Sequence, residues 1–99
     1  MGTLYTSCEW IVRPGCEDSF VAAWRALGEW AREEAPGSEW AVLLRDRGDT
    51  RRFVSFGPWR SDEALQACGS HPGFVSRLAA IGGLLESFRS LTLDEVAAH

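Results

Sequence analysis

The sequence predicts an α+β fold: a ferredoxin-like β-α-β-β-α-β sandwich with helices enough to cover one face of its sheet. Three observations predict it. Strand-like and helix-like runs alternate in that order. The strands carry apolar residues on both parities, so both faces of the sheet expect cover. The chain has 99 residues, room for one small domain, and shows no repeat and no linker.

The first run, Leu4 to Val12, is β-rich, with Leu4, Cys8, Trp10 and Val12 on one face and Tyr5 and Ile11 on the other. Arg13-Pro14-Gly15 breaks it with turn chemistry. Glu17 and Asp18 then stand where the macrodipole of a helix favours acids. Phe20, Ala23, Trp24, Leu27 and Ala31 mark one helical stripe, with Arg25, Glu29, Arg32 and Glu33 facing outward. The helix stops before Pro36-Gly37. Trp40 to Leu44 and Phe53 to Phe56 are two further apolar runs, joined by the polar hairpin loop Arg47 to Arg51. Gly57-Pro58-Trp59 is a tight break. Ser61 is suited to cap a short helix running through about Cys68, with Asp62 and Glu63 in its first turn. His71-Pro72 restarts the chain, because proline suits the first helical position. Phe74, Leu78, Ile81 and Leu85 repeat at helical spacing, and Phe88 to Val96 reads as the last strand. With its second helix split in two, this order is the ferredoxin-like split βαβ plan.

Composition excludes several function classes. Ten basic residues, all Arg, stand against fourteen acids, for a net charge of -4. Nucleic-acid affinity comes mainly from cations that displace counterions, so no nucleic acid partner is expected. A hydrophobic fraction of 45% excludes disorder and supplies enough apolar surface to call for a partner subunit. Three cysteines, Cys8, Cys16 and Cys68, form no CxxC pair; free thiols in a reducing compartment are the simpler expectation, although Cys8 and Cys16 remain a conceivable pair. The N-terminal stretch from Met1 lacks a basic region followed by an apolar run, and Leu78 to Leu85 is too short to span a bilayer. No membrane association is expected, and the location expected is cytoplasmic.

Several strings together resemble the antibiotic biosynthesis monooxygenase family. They are the strand-to-helix passage Trp10 to Phe20, the hairpin Leu44-Arg45-Asp46 with Arg52 to Trp59, the continuation Arg60 to Leu65, and the step His71-Pro72-Gly73-Phe74. The likeness covers roughly residues 3 to 97, and none of these strings is a catalytic signature. The resemblance implies a four-stranded antiparallel sheet with helices on one face, two such sheets meeting in a homodimer as a dimeric α+β barrel, and chemistry that needs no cofactor and no metal. It also marks Trp59, since the family commonly ends its third strand with Trp or Tyr. Its oxygenases of aromatic polyketides place an Asn four residues earlier, where this chain has Ser55; the chain contains no Asn. Related haem-degrading members use an Asn, a Trp and a His at places that fall here near Ser7 or Cys8, Cys68 and Leu78. Without that His, iron would lack its protein ligand, so haem oxygenation is not expected.

Each candidate has a plainer alternative. Trp59 lines a cavity between helices and sheet, or plugs the start of the next helix. Ser55 offers one hydroxyl donor in place of the missing carboxamide. His71 is a general base near the cavity mouth, or a helix cap. Tyr5 points into the cavity, or packs from the opposite face. Trp24 and Trp10 read as core, with Trp24 and Phe74 as candidate substrate contacts. Trp40 begins a strand and suits a dimer contact. Arg45 and Asp46 read as a hairpin ion pair, Arg51 and Arg52 as a solvated tip, and Cys8 as a small buried hydrophobe. Ser19 and Ser38 lack a triad context, and Gly82-Gly83 reads as a packing pair rather than a phosphate loop. No Arg has the spacing to reach the interior, so charged metabolites are not expected to bind.

The expectation drawn from these residues is a cofactor-independent monooxygenase of an aromatic, quinol- or polyketide-like small molecule. The catalytic residues expected are Trp59, Ser55 and His71, and the substrate-binding residues Tyr5, Trp24 and Phe74. The alternative is a noncatalytic dimeric ligand-binding or stress-related module on the same fold.

Overall fold

A computed structural model gives the structure of residues 3–99; Met1 and Gly2, part of the stretch read above for a leader, lie outside the described residues. The elements run β1 (Leu4–Val12), α1 (Glu17–Glu34), β2 (Val42–Arg45), β3 (Arg52–Trp59), α2 (Asp62–Ser70), α3 (Pro72–Gly82) and β4 (Leu85–Asp94). The four strands form one antiparallel sheet in the order β2-β3-β1-β4. This is the α+β ferredoxin-like architecture that the residue patterns predicted, with the second helix split at His71.

Register converts the parity pattern into layers. On the helix-facing side the sheet presents successive rungs: Phe53, Trp10 and Phe88; then Ser55, Cys8 and Ser90; then Gly57, Thr6 and Thr92; then Trp59, Leu4 and Asp94. The core forms on the first of these. Phe20 of α1 is fully buried, with its ring centroid 5.2 Å from that of Trp10 and 5.0 Å from that of Phe53. Val12, Leu27, Ile81 and Leu85 complete the buried cluster. Leu85 was expected as the last residue of a helical stripe. It is buried from the first position of β4 instead, because α3 ends at Gly82 and a bulge pairs Val12 with Leu85. That irregularity turns Leu85 toward the core and lets Glu86 meet Arg51.

Capping follows the residue chemistry. The Ala64 N–H donates to Ser61 Oγ at 3.1 Å at the start of α2. At the start of α3 the Gly73 N–H donates to His71 Nδ1 at 2.9 Å. Helix α1 has no side-chain cap, and Glu17 Oε1 in its first turn is buried without a hydrogen-bond partner. The field at a helix start favours a carboxylate there.

The hairpin differs from expectation. Asp46 pairs with Arg52 rather than Arg45, and Arg52 also donates to Glu9 at 2.7 Å. The Gly48 N–H, followed by Arg52, holds the Asp46 carboxyl below the usual carboxylate range. Arg45 lies over the Phe53 ring. Arg51 reaches back to the Val12 carbonyl and Glu86, so this tip is tied to β1 and β4 rather than only solvated.

The entry to β2 is bulged. Ser38 bridges to Trp59, whereas Val42 pairs with Phe56, so the Glu39–Ala41 segment carries one residue more than the strand opposite. Gly57 sits beneath this bulge, and a Cβ there would run into the Trp40 carbonyl oxygen. Trp40 therefore precedes β2 instead of beginning it. Because the obstruction is backbone, Gly57→Ala is expected to destabilise the fold by about 1–3 kcal/mol. A urea midpoint unchanged from wild type would show that the bulge moves freely.

Candidate functional site

The second and third rungs of the sheet carry small side chains where the first carries Phe53, Trp10 and Phe88. Above them α1 continues past Phe20 with Trp24, Gly28 and Ala31, too little bulk to fill the gap. A cavity of about 560 Å³ results, open to solvent at one side. Thr6, Cys8, Trp10, Ser55, Phe88 and Ser90 line its floor, and Trp24, Leu65, Cys68, Phe74 and Leu78 line its helical side. Volume and lining suit a small, largely apolar molecule held by a few polar groups.

Trp59 closes one end. Its indole Nε1 donates to Thr6 Oγ1 at 2.9 Å. Its ring lies against Gly37, whose φ of +146° favours glycine, and an added Cβ there would stand 2.6 Å from Ala64 Cβ and 3.4 Å from Trp59 Cε3. The indole is thus fixed in plane and tilt by one hydrogen bond and one close backbone approach. β3 pairs with β1 without a break from Arg52 to Trp59, so Ser55 and Trp59 share the cavity face.

Ser55 is buried, and its Oγ accepts a hydrogen bond from Trp10 Nε1 at 3.0 Å. An indole N–H can only donate, so the serine keeps its own proton for the neighbouring Cys8 sulfur, a weak acceptor, or for a molecule in the cavity. Beside it the Cys8 thiol donates to Ser90 Oγ at 3.7 Å. Burial pushes the Cys8 thiol up from its usual value, only partly offset by the hydroxyls of Ser90 and Ser55. Burial raises Cys68 too.

Of the six residues singled out in the sequence, Trp59, Ser55, Trp24 and Phe74 line the cavity. Tyr5 and His71 do not. Tyr5 has the other parity: it pairs with Pro58 and Leu93 on the outer sheet face, and its ring meets Trp40 edge-on with centroids 6.2 Å apart. Desolvation and then Glu95 raise its phenol, so it stays protonated. His71 spends Nδ1 on the α3 cap and sets its ring against Trp30 at 4.9 Å. Trp30 covers Gly73, where a Cβ would collide with the indole, and Arg77 lies over the same ring. This group docks α1 on α3 outside the cavity.

Arg25 and Arg32 also depart from expectation. They line the cavity together with Glu29 and Glu39, and none of the four makes an ion pair among the described residues. The two arginines are exposed on α1, so they border the cavity from its outward side rather than from the interior. Thr6, Cys8, Ser90 and Phe88 were missed as lining residues. The parity of β1 marks Thr6 and Cys8 as neighbours of Trp10 on the covered face; for Ser90 and Phe88 the register of β4 was needed. The three cysteines are free. Among the described residues no group of three or more His, Cys, Asp or Glu is placed to hold a metal ion, and no helix is long and apolar enough to cross a membrane.

Fold and cavity together define a class: a ferredoxin-like α+β domain with a ligand-sized chamber between helices and sheet. The family model for antibiotic biosynthesis monooxygenase matches residues 5–76, and the chain belongs to that family. No curated protein matches the sequence at a significant level. Among solved structures, SnoaB, a cofactor-independent oxygenase from Streptomyces nogalater, is 17% identical; the match covers 99% of this chain and 97% of that one, with a TM-score of 0.88. PA3566 from Pseudomonas aeruginosa is 26% identical over 98% of this chain and 97% of that one, with a TM-score of 0.79. SO0527 from Shewanella oneidensis is 19% identical over 95% and 91%, with a TM-score of 0.81.

The buried thiol gives a direct check of the cavity floor. Alkylation of Cys8 by iodoacetamide, read by peptide mass spectrometry, is expected to level off at a higher pH than alkylation of a free cysteine peptide, since burial pushes this thiol up. A plateau at or below that of the free peptide would contradict the floor's desolvation.

Proposed function

We propose that this protein is a monooxygenase that oxidises an aromatic, quinol- or polyketide-type small molecule without a cofactor, working as a homodimer. The observation that carries the reading is the cavity itself, with Trp59 and Ser55 on one face of β3 and Trp24 and Phe74 across from them. Membership of a monooxygenase family supports the reaction class.

In such chemistry the electron-rich anion of the substrate reduces oxygen. One substrate CH₂ and one O₂ give a carbonyl and water: one oxygen atom forms the new C–O bond, and the other leaves with both hydrogens. The protein's tasks are to bind, to orient and to stabilise charge. Trp59 and Phe74 form walls for the rings, and the free proton of Ser55 faces the developing oxyanion. With His71 occupied as a cap, the substrate's proton leaves through the mouth bordered by Glu29 and Glu39.

The second copy covers the outer sheet face. Trp40, Leu44, Leu91 and Leu93 stand there 47%, 50%, 41% and 44% exposed, and the helices all lie on the other side. An apolar sheet face of this kind is rare on a monomer.

A noncatalytic dimeric binding module remains the rival, and the observation that favours it is Ser55 itself, a weaker donor than the carboxamide of the family's oxygenases. Oxygen uptake with a panel of hydroxylated anthrones and naphthols separates the two. Uptake is expected, with Ser55→Ala lowering kcat by about ten-fold, the worth of one hydrogen bond to a charged group. Tight binding without uptake supports the module. Sedimentation velocity at micromolar concentration is expected to give twice the 10.9 kDa chain mass, and a stable monomer would refute the assembly.

A further inference from the structure

Two of the five Trp residues are used in the same way. Trp10 donates its indole N–H to Ser55 Oγ at 3.0 Å, and Trp59 donates its own to Thr6 Oγ1 at 2.9 Å. Both hydroxyls line the cavity. Among the described residues neither gives its proton to a protein oxygen. A hydroxyl has one proton and two lone pairs, and a donor seated on one lone pair restricts where the proton can point. Each indole therefore converts a freely rotating hydroxyl into a directed donor; the directions left are the cavity and, for Ser55, the weakly accepting Cys8 sulfur that lines the same floor.

The register fixes how far apart these donors stand. Thr6 pairs with Gly57 and Ser55 with Cys8, so Thr6 and Ser55 are diagonal neighbours on adjacent strands, with Cα atoms roughly 7–8 Å apart. The residue directly opposite Thr6 is a glycine, so no side chain from β3 stands over it. The floor thus offers two separated donors with aromatic rings beyond each.

We infer that Thr6 and Ser55 are a pair of hydrogen-bond donors that select ligands bearing two oxygen acceptors, one toward each end of an aromatic framework. Trp10 and Trp59 act through them as positioning residues. This rests on the cavity being the aromatic-ligand site, and it adds what that reading leaves open: a second polar anchor, and hence the oxygenation pattern of the ligand.

The test is equilibrium binding of three probes, naphthalene, 2-naphthol and 2,6-dihydroxynaphthalene, followed by tryptophan fluorescence. The wild type is expected to bind the diol about five-fold tighter than the mono-ol, the worth of one ordinary hydrogen bond. Thr6→Val keeps the shape and removes the hydroxyl, so it is expected to abolish that preference, while Thr6→Ser restores it. Trp10→Phe keeps the Ser55 hydroxyl but frees its rotor, and is expected to weaken both hydroxylated probes by a larger factor than naphthalene. A diol preference that survives in Thr6→Val, or no preference in the wild type, overturns the donor pair while leaving the aromatic site standing. Failure of all three probes to bind overturns the site and the pair together.

Discussion

The cavity exists because side-chain size steps down between adjacent rungs of the sheet. Phe53, Trp10 and Phe88 fill one rung, and Ser55, Cys8 and Ser90 the next. Helix α1 is seated on the large rung by Phe20, a contact whose loss to alanine would cost about 3–5 kcal/mol. That seat sets the height of the helix. One turn later Trp24 packs on the edge of that cluster and borders the small rung, and because close-packed helices and sheets do not sag to fill such a step, the space stays open. The same change in size makes the floor polar, since the small residues placed there carry hydroxyls and a thiol.

Polarity in that floor is confined and directed. Trp10 and Trp59 each satisfy their indole N–H on a hydroxyl, which removes two buried donors from the account of unpaired groups and leaves two hydroxyl protons for whatever enters. The walls beyond are aromatic or aliphatic. Charge is kept to the opening, where Arg25, Arg32, Glu29 and Glu39 bring both signs and no net bias. A neutral or weakly acidic ring system suits that arrangement better than a polyanion.

Much of this was legible in the sequence because it follows from local rules. Alternation in β1 separated the faces correctly, Ser61 and Pro72 opened their helices as their chemistry requires, and Pro36-Gly37 closed α1. What was not legible depends on register between distant segments. Leu85 satisfies a helical stripe and is also buried, but a bulge in β4 accounts for it. Asp46 has two arginines within reach along the hairpin, and only the fold shows that Arg52 takes it. His71 and Tyr5 carry the right chemistry for a site; His71 is committed to a cap, and Tyr5 has the parity of the outer face. Arg25 and Arg32 point away from the helical stripe, and the height of α1 over the sheet makes that outward side the border of the cavity.

The five indole N–H groups report directly on whether ligands occupy this space. In ¹⁵N-labelled protein titrated with 2-naphthol, the indole resonances of Trp10, Trp24 and Trp59, which line the cavity, are expected to shift. Trp30, packed on Gly73 outside it, is expected to stay fixed. Shifts confined to Trp30, or none at Trp59 and Trp10 while the probe binds, would contradict a ligand site between the helices and the sheet.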